Sequence, residues 1–118
     1  NESSKRIVTL SDTTERTLIS FGSAIGAGTF VTSAVKYIRI TNLGKNEEVI
    51  NLSLEATNDE AIIDLEAGHF FILSKASGVL EAATTNIDVG DTGSQDLVAI
   101  KAKSESSSVN LEIFVASG

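Results

Sequence analysis

The chain contains no cysteine, no methionine, no proline and no tryptophan. Without cysteine neither a disulfide framework nor a thiolate metal site can form, so stability has to come from packing and from partners. Without proline, edge strands lack one of the residues that commonly block strand-to-strand association. Aromatic side chains are scarce too, with one tyrosine, Tyr37, and five phenylalanines. Few flat rings are therefore on offer for stacking against a sugar. No apolar run approaches the roughly 20 residues that a membrane-spanning helix requires, and no membrane partner is expected.

What is present suits one folded domain. The 118 residues are 42% hydrophobic and 21% charged, which is ordinary globular usage. A domain of this length buries roughly two-thirds of the surface its unfolded chain exposes. Charge is distributed unevenly. Residues 1–45 carry six bases and three acids, whereas residues 46–118 carry three bases and thirteen acids. A basic beginning and an acidic remainder fit a basic arm seeking an acidic surface or self-complementary patches between copies, and equally fit charges that only solvate the surface. They do not fit nucleic acid, whose phosphates need clustered Lys and Arg.

Apolar residues recur with a period of two, and no stretch sustains the three- and four-residue spacing of a helix. In "VINLSLEA" Ile50, Leu52 and Leu54 share one face, with Asn51, Ser53 and Glu55 on the other. "LVAIKAK" places Val98, Ile100 and Ala102 inward and Lys101 and Lys103 outward. In the closing run Val109, Leu111, Ile113 and Val115 face one way, and Asn110 and Glu112 the other. Further strands are expected over 6–10, 17–21, 34–41, 61–65 and 69–74. The chain is thus all-β, a single antiparallel β-sandwich of jelly-roll or immunoglobulin-like type with about eight strands. The last two strands, separated by "SESSS", have the form of a hairpin.

Two stretches interrupt the alternation. "FGSAIGAGTF" (21–30) is glycine-rich, and "NIDVGDTGSQD" (86–96) is polar and carries Asp88, Asp91 and Asp96. The first divides the chain into an N-terminal arm, residues 1–30, and a sandwich domain, residues 31–118. Its glycines do not make a phosphate loop, because Gly28 is followed by Thr29 and Phe30 where Lys and Ser or Thr are required. The three aspartates lack the alternating ligands and closing Glu of an EF-hand, and solvation is their simpler reading. His69 has no nucleophile or orienting acid nominated by spacing, and adjacent acids such as Glu47 with Glu48 or Asp59 with Glu60 read as solvated turns. No catalytic residue, cofactor or metal is therefore expected, and the chain does not read as an enzyme.

With the strands placed, "VKYIRITNLGKNEEVINLSLEA", "LEAGHFFIL" and "DLVAIKAKSESSSVNLEIFVASG" together resemble small all-β structural proteins of tailed-bacteriophage virions. The shared features are an Ile-x-Ile-x-Asn strand, a glycine turn before an aromatic strand and a closing Ala-x-hydrophobic segment. The resemblance implies a virion component, foremost a head-decoration or cement protein that contacts other copies and other virion proteins. A tail or fibre subunit, or a carbohydrate- or receptor-binding β-sandwich, is the alternative. The expected contact residues are Lys5, Arg6, Ile7, Val8, Arg16, Leu18, Ile19 and Phe21 on the arm, acting against a neighbour by strand addition. Phe71 and Phe114 join them as candidates, since Phe114 beside Phe70 or Phe71 would make an apolar contact patch.

Overall fold

The computed structural model describes residues 2–22, 29–31, 35–45, 47–77, 79–81, 94–105 and 108–117. The central part of the glycine stretch and the loop carrying Asp88 and Asp91 lie outside the described residues. Among the described residues there are eight strands of four residues or more, as the alternation requires: β1 (Glu2–Leu10), β2 (Arg16–Gly22), β4 (Val35–Asn42), β5 (Ile50–Ala56), β6 (Glu60–Leu65), β7 (Phe70–Leu73), β10 (Leu97–Ser104) and β11 (Val109–Ser117). Three shorter ones, β3 (Thr29–Val31), β8 (Leu80–Glu81) and β9 (Ser94–Gln95), complete the described set.

The long strands form two sheets. One has the order β1-β11-β4-β7 and is antiparallel throughout; the other has the order β3-β2-β10-β5-β6 and is antiparallel except where β2 meets β3. The inner faces close on one core, in which Ile38, Ile40, Ile50, Leu52, Ile100 and Leu111 have no exposed surface. β-Branched side chains suit this arrangement because they pack well on a pleated surface. Truncating Leu52 or Ile113 to Ala is expected to destabilise the fold by about 2–5 kcal/mol, since both sites are enclosed by neighbours that cannot collapse fully into the void. Urea melts read this directly. Wild-type midpoints in both variants would mean that the inner and outer faces are interchanged.

The closing strand does not form a hairpin with β10. β10 lies in the five-stranded sheet, whereas β11 lies in the four-stranded sheet between β1 and β4. The segment after Ser104 therefore bridges the two layers. A flat hairpin would set the inward residues of both strands side by side, whereas the crossing puts Ile100 and Ala102 in one layer of the core and Val109 and Leu111 in the other. Val98 also departs from expectation. A register shift between Leu97 and Ala99 turns Val98 outward, 43% exposed, and buries Leu97 and Ala99 on either side of it. Ser53 occupies an outward register position opposite Lys101 and Ile62, yet it is buried, because its short side chain donates to Glu60 Oε2 at 2.5 Å beneath longer neighbours.

Residues 1–30 do not form a separate arm where they are described. β1 runs antiparallel to β11 in unbroken register from Glu2 opposite Ser117 to Leu10 opposite Val109, and β2 lies between β3 and β10. Val8, Leu10, Leu18, Ile19 and Phe21 are buried in the chain's own core. The basic charge of the segment suggested a tether, but its alternation of apolar and polar residues is that of a strand, and burial of the apolar set outweighs surface charge pairing.

Candidate functional site

β1 places each of its expected contact residues differently. Val8 faces inward, and so do Leu18 and Ile19 of β2. Arg6 and Arg16 cross-link the two sheets at their shared margin. The Arg6 guanidinium donates to the carbonyl of Leu18, and Arg16 Nη1 donates to the carbonyl of Thr9 at 3.3 Å. On the edge strand β1 a charged residue such as Arg6 opposes pairing with a further strand. Lys5 and Ile7 point away from the core, the latter 60% exposed.

Those two residues belong to the outer face of the four-stranded sheet, where the register assembles two rows across the strands. One row runs Lys5, Phe114, Arg39, Ile72; the next runs Ile7, Glu112, Thr41, Phe70. Alternation fixes the side, because Val8, Ile113, Ile40 and Phe71 are the intervening inward residues. Leu43 extends the face beyond β4, held by its amide to the carbonyl of Asn110 at 2.9 Å. Among the described residues six large hydrophobic side chains are exposed, and four of them, Ile7, Leu43, Phe70 and Ile72, belong to this face. Scattered exposed apolar residues need no explanation, but a clustered set on one sheet face marks a contact surface.

Of the two rings expected beside Phe114, Phe71 lies on the opposite side of the sheet. Phe71 packs inward on the core, and it is Phe70 that shares the outer face with Phe114. Phe114 meets Tyr37 edge-on, with ring centroids 6.0 Å apart at 68°, and the Arg39 guanidinium lies 5.4 Å from its centroid. Edge-on rings with one face covered by a cation give a firm patch but not the coplanar platform on which a sugar stacks. Lys5 and Arg39 each approach Glu112 to 3.7 Å, so two cations share one carboxylate.

The outer face of the other sheet is acidic. Glu55, Glu60, Asp64 and Glu105 surround Asn51, Ser53 and Lys101, with Asn51 Nδ2 donating to both Asp64 and Glu105 at 2.7 Å. Lys101 lies 3.1 Å from Glu55, and its pKa is raised by the hydrogen bond to Glu55, by the charge of Glu55 and by those of Glu15 and Glu60. Ile62, 66% exposed, stands on this face between Glu60 and Asp64.

Neither of two surface hollows gathers groups suited to catalysis. One, of about 310 Å³, is lined by Glu47, Val49, Glu66 and Ala67, and the other lies along the β5–β6 turn, Glu55 to Glu60. Glu66 sits 4.0 Å from His69 Nδ1, with both side chains largely in solvent. Among the described residues no group of three or more His, Cys, Asp or Glu could hold a metal ion, and no helix is long and apolar enough to cross a membrane.

No protein-family model and no curated relative matches the chain. Among solved structures it is similar to Pseudomonas aeruginosa AlgX, at a TM-score of 0.49 and 9% identity, over 98% of this chain and 26% of that one. The chain thus spans about a quarter of the length of that protein.

Proposed function

We propose that the protein is a non-enzymatic structural component of a virion, foremost one that decorates a capsid, and that it docks through the outer face of its four-stranded sheet. The observation that carries the docking face is the concentration of Ile7, Leu43, Phe70 and Ile72 on it, beside Tyr37 and Phe114. The resemblance of three strand segments to virion proteins of tailed bacteriophages supports the setting. A continuous core and two sheets tied at the margin by Arg6 and Arg16 suit a part that bears load rather than one that closes around a substrate.

The test is particle composition. Mass spectrometry of purified virions from the source should find the chain at a copy number comparable with the shell subunits; a handful of copies would place it in the tail. Its presence only in the unassembled fraction would overturn the reading. Replacing Phe70 and Ile72 together by Ser should leave the melting temperature within about 2–4 °C of the wild type, as for surface positions that fill no cavity. Occupancy of the same particles should fall at least about tenfold, as expected when central apolar anchors are removed from an interface. Undiminished occupancy would remove this face from the proposal.

A further inference from the structure

We infer that the partner on the outer face of the four-stranded sheet is a second copy of this chain, which presents β6 from its five-stranded sheet, so that copies stack head to tail. The inference rests on the reading of that face as a contact surface and adds the identity of its occupant. Two arrangements on the same molecule match. The first is the row Lys5, Phe114, Arg39, an aromatic ring flanked by cations that share a single carboxylate, Glu112. The second is the strand segment Glu60, Ile62, Asp64, an exposed aliphatic side chain flanked by acids.

The dimensions agree. Lys5 and Arg39 are two strand spacings apart, about 10 Å, and Glu60 and Asp64 are four residues apart along a strand, about 13 Å. Flexible Lys and Arg side chains take up the difference. A β6 strand crossing the four-stranded sheet at a steep angle would set Ile62 on Phe114, between Lys5 and Arg39, and bring one acid to each cation. Each face carries a surplus of one sign that its own residues do not neutralise. On the five-stranded sheet Lys101 is hydrogen-bonded to Glu55, which raises its pKa most, with Glu15 and Glu60 adding to the effect.

Strand addition at β1 is the competing mode of self-association, and the structure opposes it, since Lys5 stands on that edge and Arg6 is committed to the Leu18 carbonyl. A contact between two different faces is heterologous, so it repeats from copy to copy and builds a ring or a stack rather than a closed dimer.

Charge reversal tests this with the intact chain. Sedimentation equilibrium of the wild type should show mass rising with concentration beyond a dimer, and less so at high salt. The double variant Lys5→Glu, Arg39→Glu should associate at least about tenfold more weakly, and so should Glu60→Lys, Asp64→Lys, each with a melt like the wild type's. An equimolar mixture of the two variants should associate again, because the acidic faces of one then meet the basic faces of the other. A wild type that stays monomeric, a Glu60→Lys, Asp64→Lys variant that still associates, or a mixture that does not recover would each overturn the inference. None of these outcomes touches the occupancy result for the Phe70 and Ile72 variant on particles, which tests the docking face by itself.

Discussion

Deleting residues 1–10 is expected to leave the chain without a cooperative unfolding transition. β1 contributes a nine-residue ladder to β11 and buries Val8 and Leu10, at 4% and 1% exposure. Each buried side chain of this size contributes about 1.5–3 kcal/mol. Loss of the strand also leaves one edge of β11 unpaired along its whole length, with Ile113 and Leu111 uncovered from that side, and removes the Arg6 bond to the other sheet. A domain of this size has roughly 5–15 kcal/mol in total, so these losses together consume most or all of it. Extending the deletion through residue 22 removes Leu18, Ile19 and Phe21 as well and makes the outcome more certain still. Circular dichroism during heating and the dispersion of amide proton resonances measure it. A truncated chain that melts cooperatively near the full-length midpoint would show that β1 serves a neighbouring molecule instead.

This expectation reverses the one drawn from charge and glycine content, and the reversal shows which signals were legible. Period-two alternation placed Ile50, Leu52, Leu54, Leu111 and Ile113 in the core, because burial on one sheet face leaves a pattern that no other structure produces. The same alternation was present in Arg6 to Leu10, and giving it precedence over the basic charge would have returned that segment to the sandwich. Val98 was assigned to the wrong face, since a bulge shifts register by one residue without altering composition. Which strands share a sheet was equally hidden. "SESSS" has the composition of a hairpin loop whether it turns within a layer or crosses between layers, and only the pairing of β11 with β1 and β4 decides it. The proposed contact face was half legible. Phe114 was seen as an aromatic on a polar face, but its neighbours Lys5, Arg39 and Ile72 come from three other strands and meet only through the register.

Asn42 was the residue least visible in the sequence, where "NLGKNEE" (42–48) reads as a turn, and its replacement is expected to have the second large effect. The side chain is 1% exposed and its hydrogen-bonding groups are engaged on three sides. Nδ2 donates to the carbonyls of Glu48 at 2.8 Å and Leu65 at 2.9 Å, and Oδ1 accepts from the amide of Gly44 at 2.7 Å. Its backbone adds bonds from its amide to His69 and from the Gly68 amide to its carbonyl, both 3.0 Å. One residue thereby ties the end of β4 to the β4–β5 turn, to the end of β6 and to the β6–β7 turn, which joins the two sheets. The turns are shaped for it. A Cβ on Gly44 would lie 2.8 Å from Asn42 Oδ1 and 2.9 Å from Val109 Cγ1, and Gly68 has φ of 80°, the left-handed region where glycine is unstrained.

Asn42→Ala strands two carbonyls and one amide. Leaving a buried polar group unsatisfied costs about 1–3 kcal/mol, and water can reach the two bonds nearer the surface, so a loss of about 3 kcal/mol is expected. Asn42→Asp should be worse at neutral pH. It keeps an acceptor for Gly44 but turns a buried carboxylate toward two carbonyl oxygens, and both burial and those dipoles disfavour the charge. The folded-state pKa of the new acid is then raised above its unfolded value of about 3.9. A raised acid leaves stability intact below the unfolded pKa and removes it as pH climbs above, so the deficit of Asn42→Asp relative to wild type should shrink on acidification, when the protonated carboxyl can donate once more. Paired urea melts at neutral and acidic pH measure the difference. A stability for Asn42→Ala within about 0.5 kcal/mol of wild type, the range of an ordinary surface change, would show that water replaces the side chain and that the two sheets do not depend on this tie.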